Sequence, residues 1–89
     1  MTGHDVPRTK DDVLFRELED GCVLYDPGNE KVHSLNITAG AIWCLMNGSR
    51  SLGDIADEVS FMTKADRAVV LGDVIRAAGQ FARLGLIEC

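Results

Sequence analysis

The segment that most constrains the fold of this 89-residue chain is residues 32–48, VHSLNITAGAIWCLMNG. Its first residues alternate as in a strand that ends at Leu35, and Asn36 then marks a tight polar turn. Apolar residues recur at helical spacing after Thr38, which we predict to be the helix N-cap. Gly48 ends this helix, because glycine adopts the left-handed C′ conformation most easily. A strand must therefore change to a helix across a very short connection.

Two further strand-like runs precede this segment, VLFREL at residues 13–18 and CVLYD at residues 22–26. An Asp-Gly dipeptide separates them and supplies the positive φ of a tight hairpin turn. A second turn, DPGN at residues 26–29, leads into the third strand at residues 31–35. Because both connections are short, we predict a three-stranded antiparallel meander.

Helical periodicity dominates the rest of the chain. A second helix is predicted over residues 52–60, where Ser51 and Asp54 have the spacing of a capping box. A third, longer helix is predicted over residues 64–84, with Gly85 as its stop. The two apolar residues that follow lie back against the core, with a short fourth strand as one option. The predicted core contains Phe15, Leu24, Leu35, Ile42, Trp43, Leu45, Ile55, Val59, Val74, Phe81, Leu84 and Leu86.

The length allows one domain with a single modest core. The element order predicts an α+β fold, a three-stranded antiparallel sheet followed by a three-helix winged-helix-like bundle, over residues 13–89. Residues 1–12, MTGHDVPRTKDD, are polar, so we predict a loose tail and no signal peptide. The chain has no long apolar run, so no transmembrane helix is predicted, and we expect it to work in the cytoplasm.

The pattern LN.TA..IW.L..G at residues 35–48, set between three strands and three helices, is similar to that of the PqqD-like family. The resemblance covers residues 13–88. Members are also called RiPP recognition elements, for ribosomally made precursor peptides that are later modified. The resemblance implies a non-catalytic peptide chaperone that binds a precursor's leader and presents it to a modifying enzyme, usually a radical-SAM enzyme. The best-known member works in pyrroloquinoline quinone (PQQ) synthesis, but DPGNEKVHSLN here departs from its pattern, so the pathway stays open.

The third helix carries a lopsided apolar stripe. Val74 and Phe81 are predicted to face the core, and Leu71, Ile75 and Ala82 flank them on one side. This flank either covers a neighbouring element or walls a groove beside an open strand edge, where an extended peptide adds as a further strand. The resemblance implies the groove, with the leader peptide antiparallel to the third strand. The candidate peptide-binding residues are then Val32, His33, Ser34, Leu35, Leu71, Ile75, Ala78 and Ala82.

The net charge of −5 argues against nucleic acid as a partner, because affinity for it comes largely from basic residues that neutralise phosphates. The alternative interpretation is a winged-helix DNA-binding or regulatory domain. Arg67, Arg76 and Arg83 are few basic residues for a recognition helix. A third interpretation is an adaptor that binds a partner domain and no peptide.

The sequence predicts no catalytic constellation. Of the two histidines, His4 lies in the predicted tail and His33 in a strand, and no phosphate loop, GxSxG or HExxH motif occurs. Cys22, Cys44 and Cys89 are too widely spaced for a zinc site. We expect free thiols, with the first two acting as small core residues. We therefore expect no enzyme activity, no cofactor and no metal.

Overall fold

A computed structural model of the protein describes residues 1–88. Its elements, in chain order, are β1 (Arg8–Thr9), β2 (Leu14–Leu18), β3 (Gly21–Asp26), β4 (Lys31–Leu35), α1 (Ile37–Leu45), α2 (Leu52–Thr63), α3 (Arg67–Arg83) and β5 (Ile87–Glu88). Strands β2, β3 and β4 form an antiparallel sheet in that spatial order, while β1 and β5 form a separate two-stranded ribbon. The predicted α+β fold, with a three-stranded antiparallel sheet followed by three helices, is confirmed.

The pairing register sorts the side chains of the three-stranded sheet onto two faces. Leu24 is fully buried and pairs with Phe15 and His33, so these three residues lie on the inner face, towards the helices. The outer face carries an exposed apolar row that runs across all three strands: Leu14, Tyr25 and Val32. The sheet is thus apolar on both faces, and only the inner face is covered.

The first two helices begin with side-chain caps. The Asn36 side chain accepts a hydrogen bond of 2.8 Å from the Ala39 N–H, so the cap of α1 is Asn36 and the prediction of Thr38 is wrong. The cap of α2 is the predicted capping box, in which Ser51 and Asp54 each bind the other's backbone N–H. Because Asn36 follows β4 directly, the cap leaves no loop between the sheet and α1.

The third helix begins later than predicted. Lys64 adopts a left-handed conformation with φ of 59° and ends α2, and Asp66 then caps α3 by accepting from the Ala68 N–H at 2.8 Å. Gly85, with φ of 74°, ends α3 as predicted. None of the helices within residues 1–88 is long and apolar enough to cross a membrane.

The core lies between the inner face of the sheet and the three helices. Trp43 and Phe81 meet edge to face at its centre, with ring centroids 5.2 Å apart. The predicted core residues that are buried in the structure are Leu24, Ile42, Trp43, Ile55, Val59, Val74, Phe81 and Leu86. The predicted residues Leu35 and Leu45 are only partly buried and pack against this cluster.

Three predictions of burial are wrong. Phe15 is exposed because β2 is an edge strand and Phe15 lines an open cleft between that strand and α1. Leu84 is exposed because it caps α3 at the point where the chain turns through Gly85. Cys44 is exposed on α1, whereas Cys22 is buried as predicted.

The loose tail predicted for residues 1–12 is also corrected. The Leu52 and Gly53 N–H groups, in the first turn of α2, donate to the Asp5 and Gly3 carbonyl oxygens, each at 2.9 Å. Pro7 is fully buried, and β1 pairs with β5. This segment docks through its backbone and caps the otherwise unpaired donors of a helix, which a search for apolar side chains does not reveal.

Removing residues 1–7 is expected to lower the free energy of unfolding by about 2–3 kcal/mol. The deletion removes the burial of Pro7 and the three hydrogen bonds that the Gly48, Leu52 and Gly53 N–H groups donate to carbonyl oxygens of this segment. A urea melt of the shortened chain measures the change. Val6→Ala is the control, because Val6 is exposed next to Pro7 and its truncation should leave the midpoint nearly unchanged. If the shortened chain unfolds at the same urea midpoint as the full chain, the prediction of a loose tail would be correct after all.

Candidate functional site

Strand β4 has one edge against β3 and one edge without a partner strand within residues 1–88. The direction of its backbone groups follows from the β2–β3 hairpin, where a two-residue turn pairs Leu18 with Gly21 through a turn hydrogen bond. Hydrogen-bonded and non-bonded pairs alternate along antiparallel strands. Val23 and Tyr25 therefore bond to β2, and the residues between them bond to β4.

The same alternation assigns the backbone groups of β4. His33 and Leu35, opposite Leu24 and Cys22, use their N–H and C=O groups on β3. Val32 and Ser34 direct theirs to the unpaired edge. We call this the free edge of β4; no proline or bulge interrupts it. Of the four strand residues predicted for backbone pairing, the geometry selects Val32 and Ser34.

The side chains of β4 also divide into two sets. His33 and Leu35 lie on the inner face and are half-buried. Val32 and Ser34 lie on the outer face, and Val32 is 65% exposed. A strand added at the free edge would continue this alternation, so its side chains would point in turn to the outer face and towards the helices.

The turn before β4 is held by a carboxylate. Asp26 accepts hydrogen bonds from the Gly28 N–H at 3.2 Å and from the Asn29 side-chain amide at 2.8 Å. The Asn29 amide, which outweighs the opposing effect of burial, holds the pKa of the Asp26 carboxyl below its ordinary value. The carboxylate therefore stays ionised, and keeps accepting both hydrogen bonds of the turn before β4, to a lower pH than an ordinary aspartate would.

The four residues predicted on α3 do not form one wall beside β4. Leu71 lines a cavity with Gly3 and Ser51, on the side of α3 that faces α2 and the first residues of the chain. Ile75 lies one turn further along this flank and packs against the core. Ala78 is fully buried, so it has no surface to offer a peptide, and Ala82 alone is exposed. The predicted flank of Leu71, Ile75, Ala78 and Ala82 therefore stays a prediction, to which the buried Ala78 can contribute little surface.

A different face of α3 lies near the end of β4. A cavity of about 330 Å³ separates α1 from α3, and we call it the α1–α3 cavity. It is lined by Asn36, Thr38, Ala39, Ile42, Asp73, Arg76, Ala77 and Gln80. Since Asn36 follows β4 directly, the cavity opens at the C-terminal end of that strand. The prediction from the sequence did not identify this face. The signal in the sequence that could have identified it is the spacing of Asp73, Arg76 and Gln80, which places three polar side chains on one helix face.

The two flanks of α1 show where α3 stands relative to the sheet. A cleft on one flank is lined by residues of β2, β3 and α1, including Phe15, Cys22 and Cys44. The α1–α3 cavity occupies the other flank. Since β2 and β4 are the opposite edges of the sheet, α3 stands on the side of the free edge of β4. A strand added there would run towards the polar face of α3.

The polar groups of the α1–α3 cavity include one ion pair. Arg76 donates from one Nη to the Asp73 carboxylate at 2.9 Å, and the Arg76 side chain is 70% exposed. The Asn36 side-chain oxygen already accepts a hydrogen bond from the Ala39 N–H. No cluster of three or more metal-ligating side chains occurs within residues 1–88. This arrangement suits the binding of a polar chain segment.

Comparisons with known proteins place this geometry in context. The family model of coenzyme PQQ synthesis protein D (PqqD) matches residues 21–87. No curated protein sequence matches the chain. The solved PqqD truncation of Methylobacterium extorquens PqqCD, a functional and stand-alone RiPP recognition element, superposes with a TM-score of 0.85 at 28% identity, over 99% of this chain and 94% of that one.

Two more distant solved structures share the fold. Lasso peptide synthetase B1, complexed with its leader peptide, has a TM-score of 0.80 at 19% identity, over 96% of this chain and 100% of that one. TbiB1, in complex with the TbiA(beta) leader peptide, has a TM-score of 0.79 at 22% identity, over 91% and 94% of the two chains.

Proposed function

The chain belongs to the PqqD family, and from that premise we propose that it is a peptide-binding module for the leader of a ribosomally made precursor peptide. It binds the leader by strand addition and presents the precursor to a modifying enzyme. The observation that carries the proposal is the free edge of β4, where Val32 and Ser34 offer unpaired backbone groups. Strand addition to such an edge is a recurring mode of peptide recognition.

Two further observations support the proposal. The M. extorquens relative is a RiPP recognition element, and both distant structural relatives were solved with a leader peptide bound. In this chain the α1–α3 cavity also opens at the end of β4, where Asn36 faces residues of α3. A peptide antiparallel to residues 32–35 would thus meet both backbone partners and side-chain contacts.

The module acts by binding and contributes no catalytic group of its own. The chemistry belongs to its partner enzyme, for which the family resemblance predicts a radical-SAM protein, in PQQ synthesis or a related pathway. We place the complex in the cytoplasm, where precursor peptides are made. These assignments of partner, pathway and compartment rest on the resemblance.

The DNA-binding alternative has less support. Arg67 and Arg76, two of the basic residues on α3, are paired with the carboxylates of Asp57 and Asp73. Each pair reduces the positive charge that α3 would bring to a phosphate backbone. The net charge of −5 also opposes binding to a phosphate backbone.

An NMR titration tests the proposed function. The probe is the synthetic leader of a precursor peptide encoded beside the gene for this protein, added to the ¹⁵N-labelled full chain. We expect the largest amide shifts at Val32 and Ser34, with smaller shifts on the Arg76 face of α3. A scrambled leader of the same composition is the control. Shifts confined to α2 and the outer residues of α1, with β4 silent, would exclude strand addition.

A further inference from the structure

The α1–α3 cavity contains one cation, Arg76, most of whose N–H donors make no hydrogen bond within the protein, which bears on the chemistry of the peptide. Resting on the proposed function, we propose that the bound peptide carries a carboxylate side chain, Asp or Glu, which enters this cavity and is bound by Arg76. The cavity begins at Asn36, the residue that follows β4, and most of its lining consists of side chains of α1 and α3. It therefore selects among peptides that the edge alone would accept equally.

The balance of polar groups indicates an anionic side chain. The Arg76 guanidinium has five N–H donors, and one Nη of it is engaged with Asp73. The Asn36 side-chain oxygen accepts from the N–H of Ala39 in α1, which leaves its NH₂ group to donate, and the Gln80 amide and Thr38 hydroxyl can each donate or accept. The Asp73 carboxylate, the one anion among the lining residues, is paired with Arg76 through one of its two oxygens.

Other side chains would fit less well. A lysine or arginine would compete with Arg76 for a single carboxylate and place two cations together. An apolar side chain would cover the guanidinium without replacing the hydrogen bonds that it makes to water. A carboxylate takes the remaining guanidinium edge in a charge-assisted, two-point contact. The neighbouring amides then complete its coordination.

The register gives the carboxylate a position in the peptide. Cross-strand partners share a face, so the peptide residue opposite Leu35 points towards the helices, at the end of β4 where the cavity opens. The residue opposite Val32 points to the outer face and extends the exposed apolar row. In an antiparallel peptide, the residue opposite Val32 follows the residue opposite Leu35 by three positions, from 35 − 32. The expected pattern is an acidic residue followed, three positions later, by an apolar one.

Selection from a random dodecapeptide phage library tests this pattern. The baits are the full-length wild-type protein, Arg76→Glu and Arg67→Glu. The last variant is the matched control, because it makes the same charge change on the same helix, but on the flank that faces Gly3 and Ser51. We expect wild type and Arg67→Glu to enrich Asp or Glu at one position, and Arg76→Glu to enrich Lys or Arg there. The side chain of Arg76 is 70% exposed, so its replacement should not unfold the domain, and Arg76→Ala serves if it does.

A selected peptide then gives the size of the effect. Replacing its acidic residue with Gln or Asn should weaken binding to wild type about tenfold, as for a charged hydrogen bond, and have little effect on binding to Arg76→Ala. If the selected peptides shift the Val32 and Ser34 amide signals but show no enrichment of Asp or Glu, the proposed carboxylate contact is wrong, and the proposed function still holds. If no selected peptide shifts those amides, the proposed function fails, and the inference fails with it.

Discussion

Replacing Phe81 with alanine is expected to lower the free energy of unfolding by about 3–5 kcal/mol. Phe81 is 3% exposed and packs edge to face against Trp43 at the centre of the core. Its removal opens a cavity between α1 and α3 that the rigid helices fill only in part, so the loss exceeds simple transfer of the ring to water. Chemical denaturation of wild type and variant, followed by circular dichroism, measures the difference.

The chain provides a matched control for this substitution. Phe61, near the end of α2, is 85% exposed, so Phe61→Ala makes the same chemical change without opening a cavity. We expect its free energy of unfolding to stay within about 0.5 kcal/mol of wild type. If Phe81→Ala cost no more than Phe61→Ala, the position of α3 over Trp43 would be wrong.

The second large effect is expected from Ser34→Pro, which should weaken leader-peptide binding by about 10- to 100-fold while the domain stays folded. Ser34 directs its N–H to the free edge of β4, so proline removes a donor that the peptide needs and places a ring in the peptide's path. The same change costs little in the unbound protein, because proline is tolerated on an edge strand when its nitrogen faces solvent. Calorimetric titration with the leader gives the affinity, and a thermal melt checks the fold.

Two companion variants separate the backbone effect from others. Ser34→Thr keeps the N–H and improves strand propensity, so it should bind with nearly wild-type affinity. His33→Pro removes an N–H that bonds to β3 and should destabilise the sheet itself. Full affinity in Ser34→Pro would mean that the peptide does not pair with this edge.

The sequence predicts the sheet well because its signals are local. Strand β4 is predicted to the residue, since the turn that begins at Asp26 and the cap at Asn36 bound it closely. The helix starts are harder to predict, because several polar residues compete for each cap. The N-cap is the residue whose side chain accepts from an unpaired backbone N–H of the first turn, and in α1 that residue is Asn36 and not Thr38.

The two halves of the candidate site differ in how far the sequence predicts them. The free edge of β4 follows from strand order, which short turns determine. The contacting face of α3 does not, because helical spacing gives the angles between residues and not the direction in which the helix is turned. Leu71 belongs to the apolar flank, but the first residues of the chain cover that side. The segment around Gly3 is polar and has no apolar pattern, so the sequence does not predict that it docks against α3.

The free edge of β4 also exposes the protein to its own copies. An uninterrupted edge with an exposed Val32 can template another β4 as readily as a peptide, and such growth leads towards cross-β aggregates. Two properties oppose it: the strand has five residues, and each molecule carries a net charge of −5. Like-charged copies repel one another at a distance, whereas a peptide of small net charge approaches freely. The net negative charge of this domain thus opposes pairing between the free edges of two copies and leaves the edge available to bind a peptide.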